Sequence, residues 1–151
     1  MNDQLGLEGT KFGNYRLLRV LGRGRMGVVY LARDEALLRS TAVKILSWQD
    51  ADRDGQNPEE WFLAEARSVA RINHPNVVQI YGVARQGRHC YIAMEYMAGG
   101  PLDALVAKAG AIDFVRATTL LIECAKALQA AHDAGIVHRD IKPENVFIGG
   151  D

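Results

Sequence analysis

The chain has 151 residues, 48% of them hydrophobic and 24% charged, which suits one ordinary domain or one lobe plus part of another. Lys plus Arg and Asp plus Glu stand at 18 each, so no global field favours nucleic acid or an anionic membrane. No apolar run approaches the roughly 18 residues that span a bilayer, Met1-Asn2-Asp3-Gln4 does not open a signal peptide, and the two cysteines, Cys90 and Cys124, read as free thiols in a reducing compartment. A cytoplasmic location follows as the expectation.

Residues 1–14 are polar and glycine-dotted and are expected to form a loose arm. Tyr15 to Leu21 has the pattern of a strand, and Gly22-Arg23-Gly24-Arg25-Met26-Gly27 turns the chain. Val28 to Arg33 and Thr41 to Leu46 are a second and a third strand, and Ser47 to Gln56 is polar and irregular. A helix follows: Asn57 can cap it, Pro58 suits its first position, and Glu60 completes a capping box. Phe62, Leu63, Ala66, Val69 and Ala70 give it an apolar stripe, and His74-Pro75-Asn76 stops it. Val77 to Ala84 and His89 to Tyr96 are β runs joined by a hairpin at Arg85-Gln86-Gly87-Arg88. Gly99-Gly100 is a joint, after which the pattern is helical. The long segment Asp113 to Ala134 has Leu121, Cys124, Ala125, Leu128 and Ala131 as its buried stripe and Gly135 as its stop. Five strands around one helix therefore precede a helical part, with boundaries at residues 15–98 and 99–151.

Three stretches carry candidate chemistry. The spacing Gly22-x-Gly24-x-x-Gly27 lets backbone N–H groups approach phosphate oxygens with no Cβ in the way. It also occurs in dinucleotide-binding folds, where it opens a helix; Val28-Val29 directly after it favour strand-turn-strand, and a plain flexible hairpin is the bland alternative. Ala42-Val43-Lys44-Ile45 sets a lysine in an apolar strand. Either it snorkels to solvent or it meets an anionic partner, since a desolvated lone ammonium costs several kcal/mol or more. Glu65, at i+3 from Phe62 and i−4 from Val69, is the best-placed helix partner. His138-Arg139-Asp140-Ile141-Lys142-Pro143-Glu144-Asn145 is a polar run between Ile136-Val137 and Val146-Phe147-Ile148, expected as a loop held between two buried strands. Its residue types divide labour: Asp140 a proton acceptor, Lys142 a fixed cation, Asn145 a neutral metal ligand.

That octapeptide resembles the catalytic loop of eukaryotic-type serine/threonine protein kinases. Glycine loop, strand lysine, helix glutamate and catalytic loop stand in that family's order over about residues 15–151, and Met26-Gly27-Val28-Val29-Tyr30 with Lys142-Pro143-Glu144-Asn145 looks most like its bacterial members. The resemblance implies an α+β, two-lobed fold: a five-stranded antiparallel N-lobe sheet with one helix, then the start of a helical C-lobe. It implies ATP and Mg²⁺ as cofactors, a protein substrate with Ser or Thr, and transfer of phosphate to the hydroxyl. Asp140 would orient that hydroxyl and accept its proton, Lys142 would steady the γ-phosphate, and Asn145 would ligate a Mg²⁺. His138 would buttress the loop and Arg139 would bind a phosphorylated activation segment. Nucleotide contacts would come from Leu21, Gly22, Arg23, Gly24, Arg25, Met26, Gly27, Val28, Val29, Ala42, Lys44 and Glu65, and from the hinge at Glu95 and Met97. Met94 would guard the back pocket and Asp103 touch ribose; by themselves Met94-Glu95-Tyr96-Met97 also fit a plain edge-strand end, and Asp103 could equally be a solvated helix residue.

The family's Asp-Phe-Gly motif does not occur within the 151 residues, and Asp151 after Gly149-Gly150 reads as a turn residue. The expectation is a chain inactive by itself. A non-catalytic ATP-binding or scaffold fragment is the alternative, and a non-functional product the third reading.

Overall fold

The computed structural model describes residues 5–24, 27–46 and 58–149; for Pro58, Glu59, Trp61, Phe62 and Glu65 it describes the helical backbone alone. Met1-Gln4, Arg25, Met26, the stretch Ser47–Gln56 with Asn57, and Gly150-Asp151 lie outside the described residues. The chain divides into two compact units, residues 1–71 with 79–96, and residues 72–78 with 97–151.

The first unit is a six-stranded antiparallel sheet in the order β1-β2-β3-β4-β6-β5. Its strands are β1 (Lys11–Phe12), β2 (Tyr15–Gly24), β3 (Gly27–Asp34), β4 (Arg39–Ile45), β5 (Ile80–Gln86) and β6 (His89–Glu95), with helix α1 (Pro58–Val69) between β4 and β5. Sequence alone predicts five strands; the sixth is β1, in the segment expected to be a loose arm. Two residues are too short to show a period of two, which is why the pattern hides it. Its register with β2, Lys11 opposite Arg16 and Phe12 opposite Tyr15, is held by other parts of the fold. Phe12 is buried against the edges of His89 and Tyr91. The Gln86 side chain bonds this segment twice, accepting from Gly13 N–H at 3.0 Å and donating to the Lys11 carbonyl at 2.7 Å. Glu35 takes Lys11 and Arg16 together.

Strand alternation sends side chains to two faces. On one face Leu17, Val20, Val28, Tyr30, Ala32, Val43, Ile45, Tyr91 and Ala93 form the main core, onto which Leu5, Leu7 and Phe12 of the N-terminal segment pack. On the other face Leu46, Cys90 and Ile92 meet Ala66 and Leu63 of α1, with Ile80, Val83 and Met94 beside them. The helix begins at Pro58, as its missing N–H and fixed φ dictate. Both covers are needed: a sheet apolar on two faces is stable only when each is shielded from water.

In the second unit, α2 runs Leu102–Ala109 and α3 Phe114–Asp133. Asp113 caps α3 by accepting from Arg116 N–H at 3.0 Å. Its C-terminus closes as a Schellman motif: Gly135, at φ 74°, donates to the His132 carbonyl and Ile136 to the Ala131 carbonyl. The half-buried stripe of α3 runs through Ala117, Leu120, Cys124, Ala127, Leu128 and Ala131. Leu121 and Ala125, both expected inside, are exposed, Leu121 by 70%, because the inward face is rotated one residue toward Leu120.

The two buried strands expected around the polar loop are absent among the described residues. Val137, Ile141 and Phe147 are exposed, and Pro143–Asn145 is a single 3₁₀ turn. A strand needs a neighbour for its backbone groups. Here the segment 146–148 finds one in residues 100–102 and not in 136–137. Leu102 N–H donates to the Val146 carbonyl and Ile148 N–H to the Gly100 carbonyl, both at 2.8 Å, around a lone bridge between Pro101 and Phe147. Gly99 makes this approach possible, since a Cβ there would sit 2.6 Å from the Ile148 carbonyl oxygen.

Candidate active-site residues

The glycine turn is the tip of the β2–β3 hairpin. Gly22 pairs with Val29, Arg23 with Val28 and Gly24 with Gly27; Arg25 and Met26 lie outside the described residues. No helix opens here, which removes the dinucleotide-binding alternative. The three glycines have different reasons. Gly27, at φ 140°, must be glycine for the fold itself, because a Cβ would meet the Ile45 carbonyl oxygen at 2.1 Å. A Cβ at Gly22 or Gly24 would meet nothing within 4 Å. The chain's own packing does not require glycine there, and the open backbone leaves room for phosphate oxygens.

Register sorts the remaining strand residues. Val29 lies opposite Lys44, Lys44 opposite Ile92, and Ala42 opposite Met94, so Val29, Ala42, Lys44 and Met94 share the face on which α1 packs. Lys44 is half-buried there. Val28 departs from the sequence expectation: it pairs with Ile45 on the opposite face, 6% exposed within the main core. Alternation admits only one of two adjacent valines to a face, and Val29 is that one. Leu21 is half-buried at the irregularity between Val20 and Gly22. Glu65 lies in α1, but its side chain, and with it the expected Lys44–Glu65 pair, is outside the described residues.

At the end of β6 the Glu95 N–H donates to the Gln79 carbonyl at 2.9 Å, and the Gln79 N–H donates to Glu95 Oε2 at 3.3 Å. Two residues on, the Met97 carbonyl accepts from Gly100 N–H at 3.1 Å. Asp103 is exposed in the first turn of α2. Gln79 carries no signal in the sequence, and its part at Glu95 emerges from β5–β6 pairing alone.

In the second unit the polar loop gathers its three chemical residues. Lys142 Nζ lies 2.9 Å from Asp140 Oδ2. Asn145 Nδ2 donates to the same oxygen at 3.1 Å and to the Asp140 carbonyl at 2.8 Å. Arg139 turns the chain at φ 62°, a conformation uncommon for a long side chain and of the kind that concentrates at functional sites. The Asp140 N–H then donates to the His138 carbonyl at 2.9 Å, with His138 Nδ1 at 3.3 Å. Hydrogen bonding from Lys142, helped by Asn145, holds the Asp140 carboxyl below its ordinary value of 3.8, and the Lys142 ammonium is raised by Asp140 in return. Asp140 is therefore a carboxylate at neutral pH. Both side-chain contacts fall on Oδ2, which leaves Oδ1 as an acceptor.

Comparison with known proteins gives the family. The family model of the protein kinase domain matches residues 15–151. The chain belongs to the protein kinase domain family. It is 39% identical to the serine/threonine-protein kinase PknA of Mycobacterium tuberculosis over 155 aligned residues, covering 98% of this chain and 35% of that protein. It is 41% identical to the serine/threonine-protein kinase Pkn1 of Myxococcus xanthus over 147, covering 94% and 20%. The kinase domain of Mycobacterium tuberculosis PknI superposes with a TM-score of 0.78 at 29% identity, over 93% of this chain and 56% of that one. The chain thus spans about a third or less of the curated relatives named here and somewhat over half of a solved kinase domain.

Proposed function

We propose that this chain supplies the nucleotide-binding and catalytic-loop part of a serine/threonine protein kinase, which transfers the γ-phosphate of ATP to a Ser or Thr hydroxyl of a protein. The observation that carries the reading is the joined triplet Asp140, Lys142 and Asn145. Asp140 Oδ1 accepts the hydroxyl proton and aligns the oxygen for attack. Lys142, fixed by Asp140, offers positive charge where phosphoryl charge gathers. In the first unit, the open backbone at Gly22 and Gly24 and the ammonium of Lys44 serve the phosphates, with Glu65 as the lysine's partner. Leu21, Val29 and Ala42 serve the base. The Glu95 N–H and the Met97 carbonyl are already engaged, which leaves an acceptor at Glu95 and a donor at Met97. That pair complements the amino group and ring nitrogen of adenine.

Mg²⁺, when bound, neutralises charge on the phosphates. Asn145 fits it in part: its Nδ2 is turned to Asp140, which leaves the amide oxygen, a hard neutral ligand, for the cation. Among the described residues no group of three His, Cys, Asp or Glu side chains could hold a metal ion by itself. Among the same residues no helix is long and apolar enough to cross a membrane. A cytoplasmic location, where ATP is available, belongs to the same reading.

Phosphate incorporation into a Ser/Thr-containing protein tests the assignment, in a full-length kinase domain built on this chain. Asp140→Asn lowers the transfer rate by about two orders of magnitude or more and leaves ATP affinity within about twofold. Equal loss of rate and of ATP affinity would place Asp140 in nucleotide binding instead.

A further inference from the structure

In an antiparallel ladder each narrow pair exchanges two main-chain hydrogen bonds, N–H to carbonyl in both directions. The Cys90 carbonyl takes the Leu46 N–H, so Cys90, Ile92 and Met94 turn their main-chain groups toward the β4 side. Tyr91, Ala93 and Glu95 turn theirs toward β5. Ile80 lies opposite Met94, which sets Gln79 opposite Glu95. The first bond of that narrow pair is regular: Glu95 N–H to the Gln79 carbonyl at 2.9 Å. The return bond is not, because the Gln79 N–H donates to Glu95 Oε2 at 3.3 Å. The carboxylate stands where the carbonyl of the same residue would ordinarily complete the ladder. On the other side of β6, Thr41 faces Glu95 as a wide pair and brings no N–H to it. The Glu95 carbonyl is thereby left out of the sheet's own hydrogen bonding.

We propose that the Glu95 carboxylate is a positioning group: by occupying the Gln79 N–H it frees the Glu95 carbonyl to accept from the exocyclic amino group of a purine, and so sets a preference for a 6-amino over a 6-oxo nucleotide. This rests on the nucleotide reading above and adds to it a cause for the choice of base. A half-buried N–H that loses its side-chain acceptor takes the nearest alternative, since an unpaired amide shielded from water is costly. With the carboxylate gone, that alternative is the Glu95 carbonyl itself, and the narrow pair closes. An amino group then finds its acceptor already engaged. A 6-oxo purine, which brings an acceptor to the same place, loses nothing.

The test is binding of ATP and of inosine triphosphate by the wild-type 151-residue chain, Glu95→Ala and Glu95→Gln. Glu95→Ala lowers ATP affinity roughly five- to tenfold, the range of one hydrogen bond, and leaves inosine triphosphate within about twofold. Glu95→Gln keeps an acceptor of the same reach and restores the wild-type preference. A merely structural role would lower both nucleotides together, and that result overturns the proposal. Amide hydrogen exchange reads the geometry without any nucleotide: the Gln79 amide is protected in the wild-type chain and in Glu95→Gln. Exchange of that amide at the rate of an unstructured peptide in the wild-type chain also overturns it. Failure of the underlying reading looks different, since the wild-type chain would then bind neither nucleotide, and the purine assignment would fall with it.

Discussion

The sheet unit and the helical unit handle apolar surface in opposite ways. In the first, Leu17, Tyr30, Ala32, Val43, Ile45 and Ala93 have no exposed surface, and each face of the sheet has a cover drawn from the same unit, the N-terminal segment on one and α1 on the other. In the second, α2 and α3 contain no buried residue. Phe114, Val115, Leu121 and Ile122 all stand out from α3, Phe114 by 84%. Yet the second unit holds a bonded polar group in which Asp140 meets both Lys142 and Asn145. Order in that loop comes from short-range hydrogen bonds within six residues and from the 100–102 with 146–148 pairing, and not from a core. Order in the sheet unit therefore rests on packing, and order in the Asp140 loop on local polar bonds.

Substitutions can break that contrast. The largest effect belongs to Leu17→Ala, which empties a fully enclosed site between β2 and the rest of the main core. Urea unfolding of the chain should show a loss of about 3–5 kcal/mol, the range for a buried leucine whose cavity cannot collapse. A loss under about 1 kcal/mol would mean that the sheet core is far looser than its burial indicates.

Next is Lys44→Met, which sharpens the assignment of phosphate contacts to the sheet. ATP affinity should fall about tenfold or more, as for a hydrogen bond to a charged group, while adenosine affinity stays within about twofold. Equal losses would give Lys44 a role other than phosphate binding.

A smaller effect probes the polar loop. The folded-state value of Asp140 is depressed by Lys142, so the carboxylate form persists as pH falls below the ordinary 3.8. Whatever the ionised pair contributes is present above the unfolded-state value and is lost as pH falls through the folded one. In an active full-length domain built on this chain, the acid limb governed by Asp140 should lie below 3.8. Lys142→Met should move that limb upward, toward or past the ordinary aspartate range. An NMR titration of the Asp140 carboxyl in the chain reads the same displacement, and an unmoved titration would show that Lys142 does not govern it.

The smallest effect is that of Leu121→Ala. At 70% exposure it should change the stability of this chain by no more than about 0.5 kcal/mol, against several for Leu17. A loss of 2 kcal/mol or more would reveal packing on that face of α3.

Local rules carried much of this protein into plain view. Strand, turn and helix signals are written in short windows, which is why β2 to β6, the Pro58 start, the long helix after Asp113 and the Gly135 stop could all be read from neighbours in the chain. The Asp140, Lys142 and Asn145 set was legible for the same reason: six residues of one loop contain the chemistry, and only the bonds among them had to be found. Contacts between distant segments carry no such local mark. The sixth strand needed Gln86 and Glu35 to hold it. The choice of Val29 over Val28 depended on which face α1 covers, and the inward turn of Leu120 over Leu121 on a rotation of α3. Gly99 owes its identity to Ile148, 49 positions on. The replacement of a carbonyl by a carboxylate at Glu95 exists only because β5 and β6 pair in one register. Residue type sets what a side chain can do at its own position; the partner it meets across the fold is decided by tertiary pairing, which sums many weak contacts that no single stretch of sequence contains.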